Sequence, residues 1–85
     1  MPDVTVKKGE SLDLFSLPDF TAGTDVLTVI NKSVHDCFLT SDASPPNSLQ
    51  FGAPLRKYGV GGTEAGDTNA WVSAPFGTVV LSVNP

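Results

Sequence analysis

Cysteine, histidine and long apolar runs are scarce in this chain, and each scarcity argues against a class of protein. Cys37 is the only cysteine, so no disulfide can form within the chain. Together with the single histidine, His35, it supplies too few ligands for a zinc site of the usual kind. No apolar run approaches the ~20 residues of a membrane-spanning helix, and the first residues lack the apolar core of a signal peptide. We therefore expect no metal, no secretion signal and no membrane partner.

Basic residues are also few, because five Lys and Arg side chains stand against nine Asp and Glu side chains, for a net charge of −4. An acidic surface repels phosphate backbones, which argues against a nucleic-acid partner. The length of 85 residues allows one domain with a small core. Small domains often gain further stability from disulfides, metals or partner subunits. With the first two disfavoured, association with copies of itself or with a larger assembly is the expected support.

Helical periodicity is missing as well. Seven prolines and eight glycines divide the chain, and no segment holds the i, i+3, i+4, i+7 apolar spacing for three turns. Short runs typical of strands occur instead, at 3–7, 11–15, 26–31, 37–40, 49–51, 55–58, 70–73 and 78–83. A hairpin connection is predicted at 31–36. This spacing of short strands predicts an all-β fold, a small antiparallel β-sandwich or a jelly-roll-like barrel.

The first twenty residues are set apart, because residues 17–20 interrupt the strand pattern. We interpret residues 1–20 as an N-terminal arm or first hairpin and residues 21–85 as the β-sandwich domain. Arms that exchange between subunits are one route by which small β proteins assemble. The stretch 26–31 (VLTVIN) has apolar residues on both faces, which indicates a strand covered by a second sheet and a loop, or by a neighbouring subunit.

The glycine-rich stretch 58–71, YGVGGTEAGDTNAW, invites comparison with phosphate-binding loops. Such loops need a lysine and a helix N-terminus that converge on the phosphate, and both are missing here. Glu64 and Asp67 would also repel a phosphate, so no nucleotide or other cofactor is expected. Two interpretations stay open: a mobile strand connection whose glycines supply positive φ, and a loop that orders only against a partner.

The segment His35-Asp36-Cys37 is the one place where nucleophilic chemistry could lie. Cys–His catalysis needs the imidazole beside the thiol and a third group that orients the ring. On a strand, His35 and Cys37 would share a face and Asp36 would point away from them. A lone cysteine followed by Phe38 is more often a small core residue. We therefore predict no catalytic residue and no enzyme, and keep a small enzyme based on Cys37 and His35 only as a third alternative.

Four aromatic and apolar side chains are predicted to contact a partner: Trp71, Tyr58, Val26 and Ile30. Trp71 and Tyr58 are able to stack on a sugar ring, although Trp71 at a strand start fits the core or a subunit interface as well. Val26 and Ile30 belong to the stretch with apolar residues on both faces, and one face is able to pack against a neighbour.

The features follow one another in a particular order. A strand ending in Asn-Lys-Ser (VLTVINKS) precedes a second apolar strand (DCFLT), a polar loop (SDASPPNS), the glycine-rich stretch with its tryptophan strand (GVGGTEAGDTNAWV) and a final GTVVLSV. This order, over roughly residues 26–83, resembles a group of small all-β bacteriophage virion proteins. The resemblance implies a β-sandwich or jelly-roll module attached in many copies to the capsid or tail. It implies no catalytic residues.

These observations together predict a non-enzymatic virion structural protein, made in the host cytoplasm. It would be a decoration (cement) protein of the head or a small tail component, and its partners would be itself and the major capsid or tail proteins. The alternative is a carbohydrate-binding or host-adhesion module that uses Trp71 and Tyr58 for stacking.

Overall fold

The structure is a computed structural model that describes residues 3–42, 48–50 and 52–85. Within these residues it contains eight β-strands and one short 3₁₀-helix. The strands are β1 (Asp3–Val6), β2 (Ser11–Asp13), β3 (Thr28–Asn31), β4 (Cys37–Thr40), β5 (Ala53–Leu55), β6 (Val60–Gly62), β7 (Trp71–Ser73) and β8 (Val79–Asn84), and the 3₁₀-helix is Leu14–Ser16. No helix in the described ranges is long and apolar enough to cross a membrane.

The eight strands form two antiparallel four-stranded sheets. Sheet A has the order β1-β8-β3-β6, and sheet B has the order β2-β7-β4-β5. The first strand pairs with the last, the second with the seventh, the third with the sixth and the fourth with the fifth. This nested pairing is that of a long antiparallel ribbon wound into two facing sheets, the jelly roll. The predicted all-β sandwich is confirmed.

Side chains that alternate along the strands fill the space between the sheets. On β8, Val79, Leu81 and Val83 are fully buried, while the residues between them are half-buried on the outer face. On β1 the inner positions are Val4 and Val6, as its sequence predicts. Each such side chain stabilises the fold by about 1.5–3 kcal/mol relative to an exposed one. The buried apolar set is Val4, Val6, Leu14, Phe15, Phe20, Leu27, Val29, Cys37, Leu55, Ala70, Val72, Ala74, Val79, Leu81 and Val83.

Successive strands run in opposite directions, so the connections gather at two ends of the sandwich. One end holds the connections 7–10, 32–36, 56–59 and 74–78. The opposite end holds the connections that follow β2, β4 and β6. Hydrogen bonds link neighbouring connections within each end. At the first end the Lys8 N–H donates to Thr78 Oγ1 at 3.3 Å. At the opposite end the Gly23 N–H donates to the Asp67 carbonyl at 2.9 Å.

Residues 3–20, described above as an arm or first hairpin, supply one strand to each sheet. β1 pairs with β8 and β2 pairs with β7, and in neither sheet are β1 and β2 neighbours. The side chains of Phe15 and Phe20 lie in the core. The interruption at residues 17–20 belongs to the connection that carries the chain from sheet B to sheet A. In this chain the segment is thus part of the sandwich.

The connection 31–36, predicted as a hairpin, is instead a crossing between sheets. It leads from β3 in sheet A to β4 in sheet B, and the two strands do not pair. The predicted strand 11–15 ends early, because the Asp13 carboxylate accepts a hydrogen bond from the Phe15 N–H at 3.1 Å and so begins the 3₁₀-helix.

Two predicted edge strands also differ from the structure. Residues 49 and 50 form a turn, and residue 51 lies outside the described residues. The strand predicted at 55–58 lies earlier, at Ala53–Leu55, because the chain turns at Tyr58, whose φ is 61°. Pro54 is compatible with β5, since an edge strand leaves one side of its backbone without a neighbour.

Candidate binding site at the edge of the sandwich

β5 and β6 are the last strands of their sheets, and a cleft of about 490 Å³ separates them. We call these two strands and the cleft the β5–β6 edge. In the described residues each of the two has a neighbouring strand on one side only, so backbone groups of β6 are available to another chain, whereas Pro54 in β5 has no N–H to donate. A groove of mixed apolar and polar lining beside a strand edge is a place where a partner strand can add. The lining residues are Leu39, Thr40, Ser41, Asp42, Gly52, Ala53, Pro54, Leu55, Val60, Gly61 and Gly62.

Val60 is the exposed apolar side chain of this edge. It is 65% exposed and lies opposite Ile30 in the register of β6 with β3. Ile30 is half-buried on the outer face of sheet A, whereas Val29 beside it is fully buried in the core. The strand predicted with apolar residues on both faces, β3, therefore has one face in the core. On its outer face Ile30 lies beside Val60.

Close backbone approach explains the second glycine of β6, Gly62. A Cβ on Gly62 would lie 2.5 Å from the carbonyl oxygen of Leu27. The next residue, Thr63, is tied to the same place: its N–H donates to the Leu27 carbonyl at 3.0 Å, and the Leu27 N–H donates to Thr63 Oγ1 at 2.8 Å. A side chain on Gly62 would push β6 away from this anchor. The stretch interpreted from sequence as a connection thus contains a strand.

The remainder of that stretch folds around Asp67. Its carboxylate Oδ2 accepts hydrogen bonds from the Glu64 N–H at 2.9 Å and from Ser41 Oγ at 3.1 Å. Its backbone N–H donates to the Glu64 carbonyl at 3.1 Å. One carboxylate therefore joins the connection after β6 to the chain that follows β4.

Tyr58 lies in the turn that leads into β6. Its N–H donates to the Asn31 carbonyl at 2.6 Å, and the Gly59 N–H donates to the Arg56 carbonyl at 2.7 Å. The phenol side chain is 68% exposed, and the Lys57 ammonium nitrogen lies 5.0 Å from the ring centroid. This distance is within the range of a cation–π contact. The turn thus presents an aromatic ring and a positive charge to solvent.

A buried amide fixes the position of this turn. Asn31 is fully buried, and its Nδ2 donates to the carbonyl oxygens of His35 at 2.8 Å and Leu55 at 2.9 Å. Its Oδ1 accepts from the N–H of Ser33 at 3.0 Å and from the Ser33 hydroxyl. One side chain therefore links β3, the crossing after it and the end of β5.

Trp71 lies on the outer face of sheet B, because it alternates with the core residue Val72 on β7. The indole is half-buried, and its Nε1–H is buried with no hydrogen-bond acceptor among the described residues. Its register partners are Asp13 and Thr40, near the end opposite Tyr58. Trp71 therefore lies on sheet B and Tyr58 in a turn toward the other end of the sandwich, and the two do not form one stacking platform.

The four predicted contact residues are thus divided by the fold. Ile30 and Tyr58 lie beside the β5–β6 edge, Trp71 lies on the outer face of sheet B, and Val26 is exposed in the connection before β3. Val60 was missed in the sequence, because a strand of one valine and two glycines has no alternation to detect. The only available signal is Val60 itself, a β-branched residue that stands among Gly59, Gly61 and Gly62.

His35 and Cys37 do not share a face in the structure. His35 precedes β4 and is exposed, with its ring against Gly77, whereas Cys37 is fully buried and its thiol lies 3.7 Å from the Leu55 carbonyl. Burial, with a smaller contribution from the nearby Asp36 carboxylate, raises the pKa of the Cys37 thiol to about 11. A thiol in this environment stays protonated at neutral pH, which disfavours a nucleophilic role.

Among the described residues, no three His, Cys, Asp or Glu side chains lie close enough together to hold a metal ion. Comparison with protein-family models, with curated proteins and with solved structures gave no match.

Proposed function

We propose that this chain is a non-enzymatic structural protein of a bacteriophage virion, and that it binds a capsid or tail protein through the β5–β6 edge. The observation that carries the proposal is the exposed Val60 beside Ile30, next to a cleft between two strands that have no outer neighbour among the described residues. An apolar edge of this kind is costly to leave in water and is a template for pairing with another chain.

The fold is compatible with this role. Jelly rolls occur in viral capsid proteins, and equally in lectins and cupins, so topology alone does not select a function. The choice rests on the site. The β5–β6 edge offers apolar contact and backbone hydrogen bonds, which serve binding of a protein strand.

Particle composition tests the proposal. In virus particles purified by density gradient from cells that express the gene, we expect the chain at a fixed ratio to the major capsid or tail protein, measured by quantitative mass spectrometry. Absence from particles, with the chain found only among soluble proteins, would overturn the proposed function.

A matched pair of variants tests the site. Val60→Asp places a charge on the apolar edge strand β6, and Thr5→Asp places one on the exposed outer face of β1, the other edge of sheet A. We expect the Val60 variant to stay folded but to be lost from particles, and the Thr5 variant to be incorporated normally. Equal incorporation of both variants would move the contact away from the β5–β6 edge.

A further inference from the structure

The charged side chains of this molecule are separated toward its two ends. All five basic residues lie in connections at one end, which we call the basic end and define as residues 7–10, 32–36, 56–59 and 74–78. These basic residues are Lys7, Lys8, Lys32, Arg56 and Lys57. The sequence alone shows two pairs and a singlet, and only the winding of the ribbon brings them to one end.

The net charge of each end follows from a short count. Lys32 is paired with Asp3, its Nζ 3.0 Å from the carboxylate, so these two charges cancel. The other four basic residues at the basic end are accompanied by Glu10 and Asp36, which leaves a net charge of +2. The other six acids lie at the end of β2 or in the connections at the opposite end, which we call the acidic end: Asp13, Asp19, Asp25, Asp42, Glu64 and Asp67. Their charge of −6 and the +2 of the basic end together make the net charge of −4.

The basic end also carries exposed apolar side chains. Val34 is 70% exposed, and Phe76 is 49% exposed with its ring centroid 6.4 Å from that of Phe38. Tyr58 is exposed on the same end. Aromatic side chains and arginine are enriched in protein interfaces relative to the remaining surface. The combination is typical of a surface that contacts protein.

We infer that the basic end of one copy of this chain docks on the acidic end of a second copy, in a head-to-tail contact. The partner is a second copy because the complementary surface is present on the same molecule. Three exposed acids, Asp19, Asp42 and Glu64, and the exposed Val26 lie in the connections of the acidic end. The inference concerns the two ends of the sandwich, and Asp42 of the acidic end also lines the cleft of the β5–β6 edge. It does not depend on the proposed virion role.

Screening decides whether two acidic molecules attract. The molecule measures 30 × 28 × 19 Å, so even its shortest dimension exceeds two Debye lengths of about 8 Å at physiological salt. In a head-to-tail pair the opposite charges lie at the contact, while the acidic ends of the two copies stay a molecule apart and are screened from one another. The attraction is therefore local, although the net charges repel. A head-to-tail contact is heterologous, so it continues into rings or filaments.

Sedimentation equilibrium of the full chain gives the first test. We expect self-association at protein concentrations up to about 1 mM. Raising the salt from about 50 mM to about 500 mM should weaken it at least tenfold, because ions screen the contact. A protein that stays monomeric at low salt throughout this range, or an association that salt leaves unchanged, would overturn the inference.

Two variants of equal net charge separate local from global electrostatics. Arg56→Gln with Lys57→Gln, and Thr5→Glu with Thr28→Glu on the outer face of sheet A, each change the net charge from −4 to −6. We expect the first variant to associate at least tenfold more weakly and the second to resemble the wild type. Equal weakening in both would assign the effect to net charge and contradict docking through the basic end. Circular dichroism checks that both variants remain folded.

Mixing tests the head-to-tail geometry directly. The variant Asp19→Lys, Asp42→Lys, Glu64→Lys brings the charge of the acidic end from −6 to 0 and leaves the basic end intact. Alone, this variant and Arg56→Gln with Lys57→Gln should each be monomeric. Together they retain one working basic end and one working acidic end, so native mass spectrometry should show a 1:1 pair that does not grow. A mixture that stays monomeric would refute this arrangement.

Discussion

The Asp13 carboxylate accepts a hydrogen bond from the backbone N–H of Ala70 at 3.0 Å, across 57 residues of chain. The same carboxylate accepts from the Phe15 N–H at 3.1 Å and from Asn69 Nδ2 at 2.8 Å. One side chain therefore ends β2, begins the 3₁₀-helix and holds the start of β7. Its position explains why a strand pattern that continues through Leu14 in the sequence stops at Asp13 in the structure.

Replacing Asp13 should destabilise the fold. Asp13→Ala leaves three partly buried donors without their acceptor, and we expect the free energy of unfolding in urea to fall by about 2–3 kcal/mol. Asp19→Ala, at an exposed turn position, should change it by less than about 0.5 kcal/mol. Equal stability of the two variants would show that the Asp13 hydrogen bonds contribute little.

Asn31 should be equally intolerant of change, because it is fully buried and donates to two carbonyl oxygens. We expect Asn31→Ala to lower the free energy of unfolding by about 2–3 kcal/mol, since buried polar groups lose their partners. Asn31→Asp should be at least as costly at neutral pH, because a carboxylate would face the two carbonyls. The half-buried Asn84 supplies a control, and Asn84→Ala should have a small effect. An Asn31→Asp variant as stable as the wild type would contradict the assigned orientation of the amide.

The two glycines of β6 should respond differently to a methyl group. Gly62→Ala places its Cβ 2.5 Å from the Leu27 carbonyl oxygen and should lower the free energy of unfolding by about 1–3 kcal/mol. Gly61→Ala meets only side-chain atoms of Leu55 and Leu39, at 3.4 and 3.5 Å. It should leave stability unchanged or raise it by up to about 1 kcal/mol, because alanine restricts the unfolded chain. Thermal unfolding of both variants checks this, and the reverse ranking would place β6 further from Leu27 than described.

The buried thiol of Cys37 predicts a loss of stability at alkaline pH. Its pKa is raised from 9.0 to about 11 by burial and by Asp36, so below pH 9 it is protonated in the folded and the unfolded chain alike. As the pH rises from 9 toward 11, the thiol loses its proton in the unfolded chain but keeps it in the folded chain. The free energy of unfolding therefore falls by about 1.4 kcal/mol per pH unit. Cys37→Ala lacks this contribution.

Urea denaturation at pH 8 and at pH 11 measures the effect. Between these values the stability of the wild type relative to Cys37→Ala should fall by about 2–3 kcal/mol. A difference between the two proteins that does not change with pH would show that the thiol ionises as easily in the folded chain as in the unfolded one.

Sequence patterns identified the strands that have one face in the core. The predicted 37–40 is β4, and 78–83 differs from β8 by one residue at each end, because alternating burial imposes alternating side chains. The same reasoning does not detect the strand Val60–Gly62, because its side chains do not alternate between core and solvent. Gly62 is a glycine because the Leu27 carbonyl oxygen lies 2.5 Å from where its Cβ would be. Alternation also fails to predict the partners of each strand, because local alternation is the same in a hairpin and in a crossing between sheets. The β5–β6 edge depends on those strand pairings, so the sequence predicts only two residues beside it, Tyr58 and Ile30.

The place of β8 has a consequence for how the chain is made. β8 lies inside sheet A and pairs with both β1 and β3, so sheet A lacks an interior strand until residues 79–84 have left the ribosome. Until then β1 has no partner, and β3 has only β6. Val4, Val6 and Val29, which later face the core, are exposed to solvent and to neighbouring nascent chains during that interval. A longer interval between the synthesis of β6 and the release of β8 should therefore lower the yield of folded protein.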